Sequence, residues 1–201
     1  SYKHYDLESV AIEETLKVLG DLVKEGKIRY VGLSNETPWG LSEFIKAAEM
    51  HDLPKVVSVQ NAYNLLNRIY ESGMSEFHHR SQVGLLAYSP LAQGYLTGKY
   101  LDGARPPGAR TTLFERGQRY ETEQAEEIIR KYVNLANEYS MDPALMANSF
   151  VNDQDFVTSN IIGATTMEQL KIAVGSIDTK LDEECLKKIE EIHYGCPNPC
   201  P

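Results

Sequence analysis

The stretch LLAYSPLAQGYLTGKY, residues 85–100, joins an apolar run to a loop that carries chemistry. Tyr88, Ser89 and Pro90 stop the run, and Leu91, Gln93, Gly94, Gly98 and Lys99 follow. Glycine lets a backbone approach a phosphate, and Lys or Arg pairs with its charge. Arg105, Arg110, Arg116 and Arg119 continue the basic series downstream. Three other apolar runs end in groups of the same kind: Ser34-Asn35, Gln60-Asn61 and Gly163-Ala164-Thr165-Thr166. Amides and hydroxyls suit a carboxamide-bearing ring, and a tyrosine face suits stacking on it. The fourth group opens a helix, whose free N–H groups and dipole favour an anion. Turn chemistry accounts for any one of these positions alone. Their joint recurrence at four strand ends points to a ligand.

Other chemistries fit less well. None of the four ends offers a His, Cys or Lys. Neither a P-loop nor a G-x-G-x-x-G fingerprint is present, so a bound dinucleotide would need another scheme. His78 and His79 fall on a predicted helix ahead of the third strand and read as a solvated face. Cys196 and Cys200 have a spacing that could hold a metal or a disulfide, with His193 nearby. A prolyl tail with incidental thiols is the plainer reading, and no metal site is expected.

The elements that must position these groups alternate. Residues 12–25 form an amphipathic helix with Ile12, Leu16, Leu19, Leu22 and Val23 on one face and Gly26 to close it. A strand over 28–33 follows, then a helix with Thr37 as N-cap and Pro38 at its first position. Further strands are predicted over 56–60, 83–88 and 160–163, with helices over 68–80, 122–139, 143–153 and 182–193. Strands separated by helices imply a parallel sheet, because parallel pairing needs a crossover. Residues 89–120 form a long loop rich in Gly, Pro and Arg, and loops of that length tend to be functional. Four strands are too few to close a barrel of eight. An open doubly wound sheet is the alternative, and both architectures bind ligands at the strands' carboxyl ends.

Composition narrows the partners. The 201 residues carry a net charge of −9, which gives no basic footprint for nucleic acid or an anionic membrane. No apolar run approaches the ~20 residues needed to span a bilayer, and the polar opening SYKHYDLESV has no signal-peptide pattern. Three late cysteines, Cys185, Cys196 and Cys200, fit a reducing compartment. The chain begins with Ser1 rather than Met, so a start inside a longer protein is anticipated.

GKIRYVGLSN, VSVQNAYNLLNR, LLAYSPLAQGYLTGKY and IIGATTMEQL together resemble the aldo-keto reductases. SNET, HDLPKVVSVQN, NLLNR, GARTTLFERGQRYETEQ and the ending NPCP resemble their Tas-type branch most closely. The resemblance runs from about Ser9 to Pro201. It implies an α/β fold: the C-terminal half of a (β/α)8 barrel across residues 1–201, about strands five to eight, with an extra C-terminal helix. It also implies NADP(H) as cofactor and a small-molecule carbonyl, an aldehyde or ketone, as substrate. By that resemblance Tyr88 stacks on the nicotinamide. Ser89, Pro90, Leu91, Gln93, Gly94 and Lys99 cross the pyrophosphate, and Ser34, Asn35 and Gln60 bind the carboxamide. Arg110 folds over the cofactor, and Gly163, Thr165 and Gln169 hold the adenosine end with its 2′-phosphate.

Some positions depart from the family pattern. Its catalytic Asp, Tyr, Lys and His lie on the first four strands, and no position here receives them, so no catalytic residue is assigned and turnover by this chain alone is not expected. Ala173 stands where relatives have an Asn that meets the adenine. Asn148 and Ser149 stand where they have apolar residues, and an unpaired buried Asn would cost about 1–3 kcal/mol. Ala11 replaces a capping Ser whose partner would be Glu14, a loss of about 0.5–2 kcal/mol. A non-catalytic NADPH-binding or regulatory protein, or a truncated relic, is the alternative reading. A half-barrel would also expose sheet edges, to be met by an N-terminal half or by self-association. The expected compartment is cytoplasmic, or plastid if a transit peptide lies upstream.

Overall fold

The computed structural model describes residues 10–114 and 118–201, so Arg116 lies outside the described residues. The chain divides into two compact units, Ser1–Val59 and Gln60–Pro201. Four strands, β1 (Val31–Ser34), β2 (Val56–Ala62), β3 (Gly84–Tyr88) and β4 (Val157–Ile161), follow one another in the sheet in chain order. With helices between them they form the parallel α/β fold of a partial barrel. The expectation of four strand–helix units therefore holds.

In the first unit, α1 (Ile12–Lys24) buries Leu16 and Gly20. A Cβ at Gly20 would come within 3.1 Å of the Pro54 ring, a tight contact that glycine avoids. As expected, Ala11 gives α1 no side-chain cap. Thr37 caps α2 (Pro38–Met50), its Oγ1 accepting the Gly40 N–H at 3.1 Å, with Pro38 in the first turn. β1 starts three residues later than the predicted residue 28. The amides of Lys27 and Ile28 turn back to the Leu22 carbonyl at 3.0 and 3.4 Å and are lost to the ladder.

In the second unit, β3 and β4 pair in parallel, with Leu85 opposite Val157, Ala87 opposite Asn160 and Tyr88 opposite Ile161. A bulge between Leu85 and Leu86 absorbs one residue of β4. A Cβ at Gly84 would collide with Thr158, which explains the glycine at the strand's start. The fourth strand is not 160–163 as expected. It begins at Val157, where the Leu85 N–H donates to the Phe156 carbonyl, and Gly163 lies beyond its end. Nor does the second strand stop at Gln60, which lies inside β2 and not at its end.

The predicted helix over 68–80 is broken into a 3₁₀ turn, Ile69–Ser72, and a short α3, Ser75–Ser81. The break falls at Gly73, whose extended backbone (φ 168°) cannot continue a helix. Ahead of it, Arg68 N–H donates to Asn198 Oδ1 at 2.6 Å and Ile69 N–H to Asn67 Oδ1 at 3.2 Å. The 89–120 segment is not structureless. It holds turns at Ala92–Thr97, Leu101–Gly103 and Gln118–Tyr120 and a short α4, Arg110–Phe114. Behind it α5 (Glu123–Glu138), α6 (Pro143–Asn152), α7 (Met167–Gly175) and α8 (Glu183–Gly195) are each capped by a Thr or Asp side chain. The core here is aromatic: Tyr63 stacks on Phe150 at 6.2 Å and meets Phe156 edge-on at 5.2 Å.

The penalty anticipated for Asn148 and Ser149 does not arise, because both are paired. Asn148 Nδ2 donates to the Ala144 carbonyl at 2.9 Å, and its Oδ1 accepts from Asn160 Nδ2 at 3.3 Å. Asn160 Nδ2 also reaches Asn152 Oδ1 at 2.9 Å, and Asn152 Nδ2 reaches Ser176 Oγ at 2.8 Å. Ser149 Oγ donates to the Ser176 carbonyl at 3.3 Å. An asparagine ladder thus ties β4 to α6 and to the end of α7.

Candidate functional site

Within the second unit, three adjacent strand ends come together. The Tyr63 N–H, just past β2, donates to the Tyr88 carbonyl at 3.3 Å, and Tyr88 lies opposite Ile161, two residues before Gly163. Gln60 is exposed on β2, and Tyr88 is half-buried at the tip of β3. In the first unit, Ser34 is the exposed last residue of β1, and Asn35 turns left-handed at φ 52°.

After Tyr88 the backbone takes left-handed conformations at Ser89 (φ 56°), Ala92 (φ 48°), Gln93 (φ 58°) and Gly94 (φ 99°). Ser89, Ala92 and Gln93 each cost of order 1–3 kcal/mol there unless their surroundings hold them, whereas Gly94 adopts the region freely. Here the surroundings do. The Ser89 carbonyl accepts both the Ala92 N–H and Asn64 Nδ2 at 2.9 Å. The Leu91 carbonyl accepts Gly94 N–H at 2.8 Å and Leu96 N–H at 3.2 Å, and Thr97 Oγ1 closes onto the Gly94 carbonyl at 2.7 Å. Pro90, Ala92 and Gly94 are buried, while Leu91 and Gln93 are half-buried.

The glycines serve a different purpose from the one expected. The amides of Gly94 and Gly98 are spent inside the loop, on the Leu91 and Tyr95 carbonyls. What Gly94 supplies is space: a Cβ there would lie 3.0 Å from both Cε and Nζ of Lys99. The Lys99 ammonium therefore lies over the loop's own turn, with Nζ 5.2 Å from the centre of the Tyr100 ring. Among the described residues no carboxylate pairs with it. Arg105, by contrast, is neutralised by Glu121 at 2.8 Å, and the same carboxylate accepts from Tyr95. Burial first, and then Glu121, push the Tyr95 hydroxyl up to about 12. Arg110 is exposed at the start of α4, which is tethered by the Thr111 N–H to Tyr100 Oη at 3.2 Å.

The fourth strand end is built otherwise. Gly163, Thr165 and Gln169 are all exposed. Thr166 Oγ1 accepts the Gln169 N–H at 3.2 Å, and Gln169 Oε1 reaches back to the Thr165 N–H at 2.9 Å and its hydroxyl at 3.1 Å. Thr166 thus caps α7, and Gln169 ties the preceding Thr165 onto its first turn, a variant of the capping box. Ala173 is buried and is the one buried residue of α7.

An anionic, ring-bearing ligand fits this arrangement. It would find an ammonium with no carboxylate partner among the described residues, a glycine in the turn, and a half-buried tyrosine at the strand tip. The buried Gln93 Oε1 also has no partner among the described residues. Among the described residues no group of three or more His, Cys, Asp or Glu could hold a metal ion, and no helix is long and apolar enough to cross a membrane. All three cysteines are free thiols, and burial pushes that of Cys200 up to about 11.

Sequence reasoning missed the support beneath the loop. Asn64, fully buried, and Arg68, 7% exposed, appear in the sequence only as part of NLLNR. Arg68 forms a bidentate pair with Glu71 at 2.7 and 2.9 Å, places Nη1 2.7 Å from Glu190, and lies 5.1 Å from the Phe150 ring centre. Burial opposes its charge, but Glu71 and Glu190 more than offset this and raise its pKa. Tyr63 donates to Glu71 at 2.5 Å, and burial together with that carboxylate raises its pKa strongly. The available signal was the pair of asparagines bracketing Leu65-Leu66, polar residues held inside an apolar run.

Comparison with known proteins agrees with the geometry. The aldo/keto reductase family model matches residues 1–193. Protein tas of Escherichia coli K12 is 47% identical over 193 residues, covering 96% of this chain and 56% of that protein. An aldo-keto reductase of Babesia bovis is 38% identical, over 96% of this chain and 71% of its own length. The L-glyceraldehyde 3-phosphate reductase of E. coli K12 is 34% identical, over 88% of this chain and 52% of its own length. The chain spans about half the length of most of the curated relatives it matches.

Proposed function

Because the chain belongs to the aldo/keto reductase family, an oxidoreductase family, we propose that it carries the NADP(H)-binding platform for reduction of an aldehyde or ketone. The observation that supports this most is Lys99 on the loop that follows Tyr88, its ammonium packed against Gly94 and with no carboxylate partner among the described residues. An ammonium in that position is ready to pair with a pyrophosphate.

The assignments follow from chemistry. Tyr88 offers its ring to the nicotinamide, and Gln60, Ser34 and Asn35 offer donors and acceptors to its carboxamide. Ser89, Pro90, Leu91, Gln93 and Gly94 form the wall under the pyrophosphate, with Lys99 and Arg110 as its cations. Gly163, Thr165 and Gln169 face the adenosine end. Bound there, the dinucleotide supplies the hydride. The chain's own residues bind and orient it, which is the positioning part of the catalytic requirement. None of these residues is assigned as a proton donor, so the chain by itself gives no turnover. The E. coli relative named as an L-glyceraldehyde 3-phosphate reductase supports a small aldehyde as the substrate class. The free thiols support a reducing compartment such as the cytoplasm.

Calorimetric titration of the purified chain with NADPH tests this. Saturable micromolar binding is expected, and Lys99→Met should weaken it about tenfold or more. No binding by the wild-type chain sinks the platform reading. A clear rate of NADPH-dependent reduction of 4-nitrobenzaldehyde by the chain alone overturns the expectation of no turnover.

A further inference from the structure

We propose that the prolyl C-terminal tail is a positioning clasp for the ligand loop, acting through Leu66 and Asn64 on the carbonyl of Ser89. The Cys200 N–H donates to the Leu66 carbonyl at 3.2 Å. The Leu66 N–H donates to Asn64 Oδ1 at 2.9 Å, and Asn64 Nδ2 donates to the Ser89 carbonyl at 2.9 Å. Beside this chain of bonds, Asn198 Oδ1 accepts the Arg68 N–H at 2.6 Å. The tail thus grips the 66–68 segment at two points, and that segment grips the left-handed turn that opens the loop.

The chemistry at Asn64 is specific. Its backbone is locked by reciprocal bonds with Asn67 at 3.1 and 3.0 Å. Its side chain must accept from an N–H and donate to a C=O at once, which fixes the amide's orientation. Aspartate offers only the acceptor, and serine is too short to span both. Asn64, Leu66 and Cys200 are all buried, so a bond lost here is not replaced by water. Bonds linked in series through a buried region also strengthen one another.

The tail is built for its task. Asn198 is left-handed at φ 49°, a conformation asparagine tolerates better than most residues. Pro197 and Pro199 flank it and restrict the free chain, so less entropy is lost on docking. This gives CPNPC a role that needs neither a metal nor a disulfide. The carbonyl at the end of the relay also accepts the Ala92 N–H, the first bond of the loop. Loosening the tail therefore loosens the turn beside Tyr88 without touching any residue that faces the ligand.

The inference rests on the reading of residues 88–99 as a cofactor platform, and its test separates the two. Amide hydrogen exchange is followed in wild type, Asn198→Ala, Asn198→Asp and Asn64→Asp, alongside titrations with NADP+ and with 2′,5′-ADP, which lacks the nicotinamide. Asn198→Ala and Asn64→Asp should speed exchange of the Ala92, Gly94 and Leu96 amides about tenfold while Ile128–Ala136 in α5 keeps its protection. Asn198→Asp, which retains the acceptor, should restore it. NADP+ binding should weaken about tenfold in the first two variants, with 2′,5′-ADP within about twofold of wild type. Unchanged exchange in the loop overturns the clasp, as does equal loosening of α5, which would mark a global loss of stability. If Asn64→Asp does not fold, Asn198→Ala and its Asp rescue decide. If wild type binds no NADP+, the cofactor reading falls, while the exchange data still rule on the clasp.

Discussion

The Ser89–Lys99 loop and the Gly163–Gln169 turn leave neighbouring parallel strands, yet they are held in opposite ways. The first is strained, partly buried and fixed from below by residues as distant in sequence as Asn64 and, through them, Asn198. The second is exposed and satisfies itself with a local cap made by Thr166 and Gln169. The difference teaches where precision is needed. A ring and a pyrophosphate demand fixed geometry. An exposed turn at a helix start can adjust to what it meets, at the cost of ordering only a few side chains.

The sharpest way to break the comparison is to weaken the 64–71 segment, whose Asn64 pins the first loop. Arg68→Ala leaves Glu71 and Glu190 facing each other without their shared cation. Urea unfolding should then show a loss of about 3 kcal/mol, the low end for stripping one partner from a buried pair, because Glu71 and Glu190 keep about a third of their side chains exposed. A loss under about 1 kcal/mol would mean the cluster is hydrated and carries little.

Next in size is the asparagine ladder on β4. Asn160→Ala strands the Oδ1 atoms of Asn148 and Asn152 and should cost about 1–3 kcal/mol. Replacing the three together, Asn148→Leu, Asn152→Leu and Asn160→Val, should cost less than the single change, because no polar atom of the ladder is then left unpaired. A triple variant less stable than Asn160→Ala would contradict this account.

Gly94→Ala probes the strain directly. At φ 99° a Cβ is disfavoured, and this one would press on the Lys99 ammonium. A loss of about 1–2 kcal/mol is expected in thermal or urea unfolding. NADPH binding, by the proposed reading, should fall further than stability does. Thr166→Ala, at the other loop, removes one cap and should cost about 1 kcal/mol. Its effect should stay local, with amide exchange in the Ala92–Leu96 segment unchanged.

Much of this was legible from residue order. Periodicity and caps placed α1, α2 and α5 through α8, and the apolar run before Tyr88 placed β3 to within one residue. The family resemblance holds, and with it the α/β half-barrel. Bonds between distant residues were not legible. β4 begins at Val157, but Thr158, Ser159 and Asn160 hide it, because what makes Asn160 acceptable inside is a ladder to α6 that exists only once the chain has folded. The helix expected over 68–80 breaks at Gly73, which takes an extended backbone, while the Arg68 N–H ahead of it is held by a residue 130 positions away. The same reason kept Asn64 from view: its partner, Ser89, is 25 residues distant and bonds through a carbonyl that carries no side-chain signature.

The smallest expected effect lies at His193 on α8, which feels the charges of the Arg68 cluster. Burial, and then the Arg68 guanidinium, hold its pKa below the ordinary 6.5, while Glu71 and Glu190 partly oppose the shift. Its Nδ1 is buried with no partner among the described residues. Above about pH 6.5 the imidazole is neutral in both the folded and the unfolded chain and contributes no pH dependence. As pH falls below that value the unfolded chain takes up a proton that the folded chain resists. Stability is therefore lost progressively until the folded-state pKa is passed. His193→Gln should narrow the difference in urea midpoint between about pH 7.5 and about pH 5.5. Thr166→Ala, remote from the Arg68 cluster in sequence and chemistry, should leave that difference as it is in the wild type. If His193→Gln shifts both midpoints equally, the acid sensitivity belongs to other groups, and the Arg68 cluster is indifferent to pH.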